Sequence, residues 1–193
     1  RLGPATIAMT YVAGDHSGIV EAARPFLASL VEETGESVTL AVEVDNRPVC
    51  VDILNTTRPF KRMTAPGRIL GDIATVHGKI YAAYKPPEER EAILAEPLTR
   101  RTPHTVMDRD VLAAELDKVR EEDLAYDFEG YYLGICAVGA PVRDQFGSVV
   151  ASISVVAPRG RFGPEERARC AEALRKTVDS FSAYLGWTAA ARE

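Results

Sequence analysis

Residues 134–158, GICAVGAPVRDQFGSVVASISVVAP, decide the fold because they predict two strands joined by a turn. In the second strand, four apolar residues alternate with serines and valines and are expected to share one wholly apolar face. They are Val149, Ala151, Ile153 and Val155. The opposite face carries hydroxyls among small apolar groups, and the first strand is rich in glycine and alanine. Free volume beside a few hydroxyls is typical of a small-molecule site.

The segments around this hairpin predict one α+β domain, with a mostly antiparallel sheet and helices packed against it. The further expected strands cover residues 37–45, 49–54 (after a turn at 46–48), 58–65 and a short edge at 124–128. The expected helices cover 18–34, a stretch from Asp72 or Thr75 to Tyr84, a short helix opened by Pro86-Pro87, and then 108–122 and 164–185. Pro25 is expected to kink or divide the first helix.

The composition excludes several classes of function. The net charge of −5 argues against nucleic-acid binding by this chain itself, because phosphate contacts need a basic surface. No long apolar run or cleavable signal is present, so a cytoplasmic chain without a membrane span is expected. The three cysteines are expected to be buried free thiols. No cofactor is expected, and three scattered histidines do not predict a metal site.

The helix that follows residue 72 carries two candidate binding features. Thr75 is a good N-cap and is expected to leave the amides of Val76, His77 and Gly78 available to an anion, although an ordinary capped helix explains the pattern too. His77 lies on the apolar stripe of the same helix. It is either a hydrogen-bonded core residue or a titratable group in a pocket.

Several motifs occur in an order that resembles the effector-binding domain of the IclR family of bacterial transcriptional regulators. Besides the opening hairpin they are RLGP, ARPFLASLVEETGESVTLAV, RMTAPG, HGK, PPEEREAIL, the run from Asp108 to Arg120 and a final helix ending in LG. The resemblance implies a GAF-like (profilin-like) fold for residues 1–193. In the family RLGP follows a winged helix-turn-helix DNA-binding domain, so that domain is expected to be absent from this chain.

The resemblance also implies where an effector binds. Backbone amides at the start of the helix after Thr75 hold its carboxylate, while Asp127 and the Ser154 hydroxyl contact it. The alternatives are that Asp127 caps local backbone and that Ser154 is a core serine. The expected effector-binding residues are Met63, Leu70, Thr75, Val76, His77, Asp127, Ile135, Ala137, Ser154 and Val156.

Two of these positions depart from the family. Ala137 and Val156 stand where a Cys and a Ser are frequent, so each removes a polar group from the expected pocket. Burying an unpaired polar group costs about 1–3 kcal/mol. We therefore expect a carboxylate with an aromatic or aliphatic body as effector, and not a short keto acid.

The resemblance implies an effector-binding and oligomerising domain of a transcriptional regulator, dimeric or tetrameric, that reaches operator DNA only through the missing domain. Two alternatives stay open at this point. One is a stand-alone GAF-like sensor module of another signalling protein. The other is a small thiol-dependent enzyme that uses Cys136.

Overall fold

A computed structural model describes residues 17–59, 61 and 64–188. The strands are β1 (Ser37–Val44), β2 (Arg47–Leu54), β3 (Ala125–Phe128), β4 (Ile135–Arg143) and β5 (Val149–Pro158). The helices are α1 (Ser17–Thr34), α2 (Val76–Tyr84), α3 (Pro87–Ala95), α4 (Arg109–Glu122) and α5 (Pro164–Tyr184), with a 3-10 turn at Arg159–Arg161. The strands form a sheet in the order β2-β1-β5-β4-β3, antiparallel throughout. The expected α+β architecture is confirmed.

Helices α1 and α5 cover one face of the sheet, which we call the core face. Leu27 and Leu30 of α1 and Phe181 of α5 are completely buried there. They pack on alternate residues of the central strands, among them Val38, Leu40, Val138, Ile153 and Val155. This face forms the largest apolar cluster among the described residues, and burial of apolar surface is the main source of folding free energy.

Helix α2, backed by α4, covers the opposite face, which we call the site face. Val76 and Ile80 of α2 lie against Ala137 and Val156 of the sheet. Leu116 of α4 closes this second cluster from outside. The site face is built from shorter side chains than the core face and carries the serines of β5.

The alternation predicted for β5 is confirmed from Ala151 onward and is wrong at Val149. Ala151, Ile153 and Val155 belong to the core face, but Val149 packs with the site-face cluster. A register shift explains this, because Val142 pairs with Ala151 while Arg143 pairs with Val149, so that Val150 has no partner across the ladder. An extra residue in one strand reverses the faces beyond it.

The strand expected over 58–65 is wrong for the described residues of that range, none of which is in a strand. The chain instead runs beside β2 further on, where the Cys50 amide donates to the Arg68 carbonyl and the Leu70 amide donates to the Pro48 carbonyl. Pro59 and Pro66 have no amide hydrogen to donate, which disfavours a ladder across the predicted segment.

Two smaller expectations also need correction. The β1–β2 turn consists of Asp45 and Asn46, both with positive φ, so Pro48 already lies in β2 opposite Glu43. Positive φ at both central residues is the conformation of tight hairpin turns. Pro25 does not divide α1, which remains one helix.

Among the described residues, no helix combines the length and apolar character needed to span a membrane.

Two glycines bring α2 close to its neighbours. A Cβ at Gly78 would lie 2.1 Å from the Asp72 carbonyl oxygen, so only glycine allows the chain to turn so tightly into α2. A Cβ at Gly139 of β4 would lie 3.0 Å from the Val76 side chain. The helix therefore rests directly on the backbone of β4.

We predict that Gly78→Ala destabilises the fold by about 3 kcal/mol, because its methyl group overlaps backbone atoms that cannot move independently of α2. Urea denaturation measures the loss. Gly18→Ala in α1 is the control, since a Cβ there meets no atom within 4 Å. Equal stabilities of the two variants would contradict the tight turn.

Candidate functional site

A buried chain of hydrogen bonds joins α2 to the site face. The two ring nitrogens of His77 meet two serine hydroxyls of β5: Nδ1 lies 2.8 Å from Ser152 Oγ and Nε2 lies 2.9 Å from Ser154 Oγ. Ser152 Oγ also donates to the Tyr81 hydroxyl at 3.1 Å, and Tyr81 donates to the Ala41 carbonyl at 2.9 Å. The three side chains of His77, Ser152 and Ser154 are 4% exposed or less.

The direction of each hydrogen bond in this series can be deduced from its last acceptor, the Ala41 carbonyl. A carbonyl accepts only, so the Tyr81 proton points to Ala41, and Tyr81 accepts from Ser152. Ser152 has no second proton and therefore accepts from Nδ1 of His77. We assign the ring proton of His77 to Nδ1, which leaves Nε2 as the acceptor of a hydrogen bond from Ser154. Burial raises the pKa of Tyr81, which keeps its phenol protonated.

The sheet brings several expected effector residues side by side. Ala137 pairs with Val156 on one side and with Asp127 on the other, so these three form one row. Ser154 lies in the next row, opposite Gly139. Ala137 and Val156 are 6% and 9% exposed and face Val76 of α2.

The other expected residues are less uniformly placed. Ile135 is partly buried against the cluster of Val76, Ala137 and Val156, whereas Leu70 belongs to a separate cluster with Ala41 and Cys50. Met63 lies outside the described residues.

The start of α2 is capped as expected, with one correction. Thr75 Oγ1 accepts a hydrogen bond from the Gly78 amide at 3.2 Å and donates to the Asp72 carbonyl at 2.9 Å. The Gly78 amide is therefore not available to an anion, contrary to the expectation. The helix dipole still places partial positive charge at Val76, where the helix begins.

Asp127 makes the local backbone contacts that were the alternative to a ligand role. Its Oδ1 accepts from the Gly130 amide at 2.7 Å, and the Tyr131 amide bonds the same carboxyl group. Burial raises its pKa above the ordinary value, an effect that these amides and the charge of Lys79 partly oppose. Lys79 itself is held by the Tyr126 carbonyl and by Glu115, each at 2.8 Å.

A groove of about 1120 Å³ lies on the outer side of α2, away from the serines. Helices α3 and α4 and the loop of residues 96–106 line it, and among the described residues Asp127 is the one expected effector residue at its wall. The expected residues therefore divide between a closed interface under α2 and the margin of an open groove. The sequence patterns did not indicate this groove, because it is formed by segments distant in the chain.

Three polar residues of the site face are not among the expected effector-binding residues. Ser152 and Tyr81 belong to the hydrogen-bonded chain, and Thr39 of β1 pairs with Ser154. The alternation along the second strand of the hairpin placed Ser152 on the hydroxyl-bearing face, and the alternation along β1 could have found Thr39 in the same way. Nothing in the sequence signals that Tyr81 reaches the Ala41 carbonyl.

The thiol chemistry proposed as an alternative has no support in the geometry. Cys136 is completely buried on the core face, whereas His77 lies on the site face, so the two do not form a pair. Burial also raises the pKa of the Cys136 thiol, which disfavours the reactive thiolate. Over the part of the chain that the structure describes, no group of three or more His, Cys, Asp or Glu residues is arranged to hold a metal ion.

Asp127 supplies a pH-dependent test. The pKa of the Asp127 carboxyl is higher in the folded state than in the unfolded state. Such a group stabilises the fold at pH values below its unfolded-state pKa. The stabilisation is lost as the pH rises through the folded-state pKa. Asp127→Asn keeps an acceptor for Gly130 but does not ionise. We predict that its stability relative to the natural protein increases as the pH is raised from 3.8, the ordinary pKa, towards neutrality. Urea denaturation across this range checks the slope, and a constant difference would contradict it.

Comparison with known proteins places the chain in a family. Residues 11–183 match the family described as bacterial transcriptional regulator IclR, C-terminal. The chain is 34% identical over 188 residues to the HTH-type transcriptional regulator Rv1719 of Mycobacterium tuberculosis, covering 97% of this chain and 71% of that protein. It is 30% identical over 190 residues to the HTH-type transcriptional repressor AllR of Klebsiella pneumoniae, covering 96% and 68%.

A solved structure agrees with these relatives. An IclR transcriptional regulator from Silicibacter sp. TM1040 superposes with a TM-score of 0.86 at 28% identity, covering 97% of this chain and 74% of that one. The relatives are transcriptional regulators and not enzymes. The fold, the sequence and the order of the motifs agree. The chain therefore belongs to the IclR family of bacterial transcriptional regulators and corresponds to their C-terminal domain.

Proposed function

We propose that this domain binds an organic carboxylate with an aromatic or aliphatic body between α2 and the site face, in the cytoplasm, and that this interface, which is closed in the structure, opens to admit the ligand. The observation that carries the proposal is the convergence of Val76, Ala137, Val156 and Ser154 under one helix. A small number of hydroxyls within a mostly apolar wall is the usual composition of a small-molecule site. The stand-alone sensor and the thiol enzyme are not favoured, because the relatives are transcriptional regulators.

The apolar part of the ligand is matched by the short side chains of the wall. Ala137 and Val156 occupy adjacent strands directly opposite one another, and neither carries a polar atom in its side chain. A ligand with many polar groups would leave some of them unpaired there, at about 1–3 kcal/mol each. An aromatic or aliphatic body avoids that cost.

The carboxylate is best accommodated at the start of α2. The first-turn amides and the helix dipole favour an anion near Val76, even though Thr75 already binds the Gly78 amide. No cofactor takes part in this proposal. Asp127 borders the same region from β3, and a ligand anion there favours the protonated form of its carboxyl group.

The proposed binding acts on transcription through other parts of the regulator. The domain assembles as a homodimer or homotetramer, and operator DNA is bound by a winged helix-turn-helix domain that precedes it. The net charge of −5 supports this division, since the domain itself does not offer the basic surface that DNA requires. A ligand changes DNA binding only as far as it binds one arrangement of the subunits better than another.

We predict that calorimetry detects binding of phenylacetate and not of glyoxylate. Val156→Thr, which keeps the shape of the side chain but adds a hydroxyl, weakens phenylacetate binding about tenfold, because its hydroxyl faces an apolar body. Val150→Thr is the matched control, because Val150 packs against the core-face cluster on the same strand. Tight binding of glyoxylate together with no binding of aromatic acids would contradict the proposal.

A further inference from the structure

One hydroxyl on the site face has no hydrogen-bond partner among the described residues. Thr39 of β1 is 1% exposed, and its Oγ1 atom is fully buried and unpaired. Buried hydroxyls are normally satisfied, because an unpaired one loses its bonds to water without compensation. A native protein that keeps such a group calls for a reason, and a ligand is one.

Thr39 lies next to the serine of the proposed effector site. It pairs with Ser154 across β1 and β5, and directly opposite residues of an antiparallel pair place their Cβ atoms about 5 Å apart on the same face. Its other cross-strand partner is Ile53 of β2, which is apolar. The Thr39 hydroxyl therefore has Ser154 as its polar neighbour within the rows of the sheet.

The hydroxyls of Thr39 and Ser154 differ in the hydrogen bond that each can offer a ligand. The direction of the hydrogen-bonded chain assigns the proton of Ser154 to Nε2 of His77, so Ser154 accepts any further hydrogen bond. The proton of Thr39 is uncommitted, so Thr39 can donate. Neither residue is charged. A ligand group that fits both must accept one hydrogen bond and donate another while remaining neutral.

We propose that Thr39 and Ser154 together bind a neutral hydroxyl of the effector, an alcohol or a phenol, and that Thr39 determines specificity for it. The inference rests on the proposed effector site and adds a second polar group to the ligand, separate from its carboxylate. A carboxylate is a poor fit at this pair, because it cannot donate to Ser154 and meets no positive charge there.

The test compares phenylacetate with its 3-hydroxy and 4-hydroxy derivatives by calorimetry. The natural domain binds at least one hydroxylated acid about tenfold more tightly than phenylacetate. Thr39→Val removes the hydroxyl at nearly constant shape and abolishes that preference while phenylacetate binding is unchanged. Thr39→Ser, which retains a hydroxyl, keeps the preference. Thr39→Val also melts no lower than the natural domain, because it removes an unsatisfied group.

Thr177→Val is the matched control, because Thr177 lies in α5 and donates to the Ala173 carbonyl. It is expected to leave the ligand preference intact. If the natural domain binds the acids but Thr39→Val leaves the ratio of affinities unchanged, the inference is wrong and the proposed function stands. If the natural domain binds none of the acids, the proposed ligand class itself is contradicted and the inference falls with it.

Discussion

The two hydrogen bonds of the His77 ring are the interaction on which the site face depends. They hold α2 against β5. The bond to Ser154 satisfies a buried hydroxyl, and the bond to Ser152 adds to the one that Ser152 makes with Tyr81. Through Tyr81 the same chain reaches the Ala41 carbonyl of β1. His77 and Tyr81 together anchor one helix to two strands, and a polar network that is fully satisfied specifies one arrangement of the elements it joins.

The two faces of the sheet differ in the side chains that cover them. Long aliphatic and aromatic side chains of α1 and α5 close the core face, which contains no serine of β5. The site face has small residues such as Gly139 and Ala137, so α2 approaches β4 closely and polar groups lie near its first turn. Substitutions on this face can therefore alter the shape and polarity of a site without removing the main core. Ala137 and Val156 are examples, since neither lies in the core-face cluster.

The sequence predicted the elements better than their connections. Alternation in β5 identified the serine-bearing face, and the failure at Val149 reflects a bulge that no periodicity can indicate. The strand predicted over residues 58–65 was wrong, and Pro59 within the segment and Pro66 directly after it have no amide hydrogen to contribute to a ladder. His77 was correctly placed on the inner stripe of α2. Its two serine partners lie 75 and 77 residues away, a distance over which local patterns carry no information.

Amide hydrogen exchange with and without phenylacetate tests the central claim most directly, because it reports where on the domain an organic acid binds. The account predicts slower exchange in α2 and β5, with α3 and the loop of residues 96–106 unchanged. Protection confined to α3 and that loop would show that the acid occupies the open groove on the outer side of α2, and would contradict a site between α2 and the sheet.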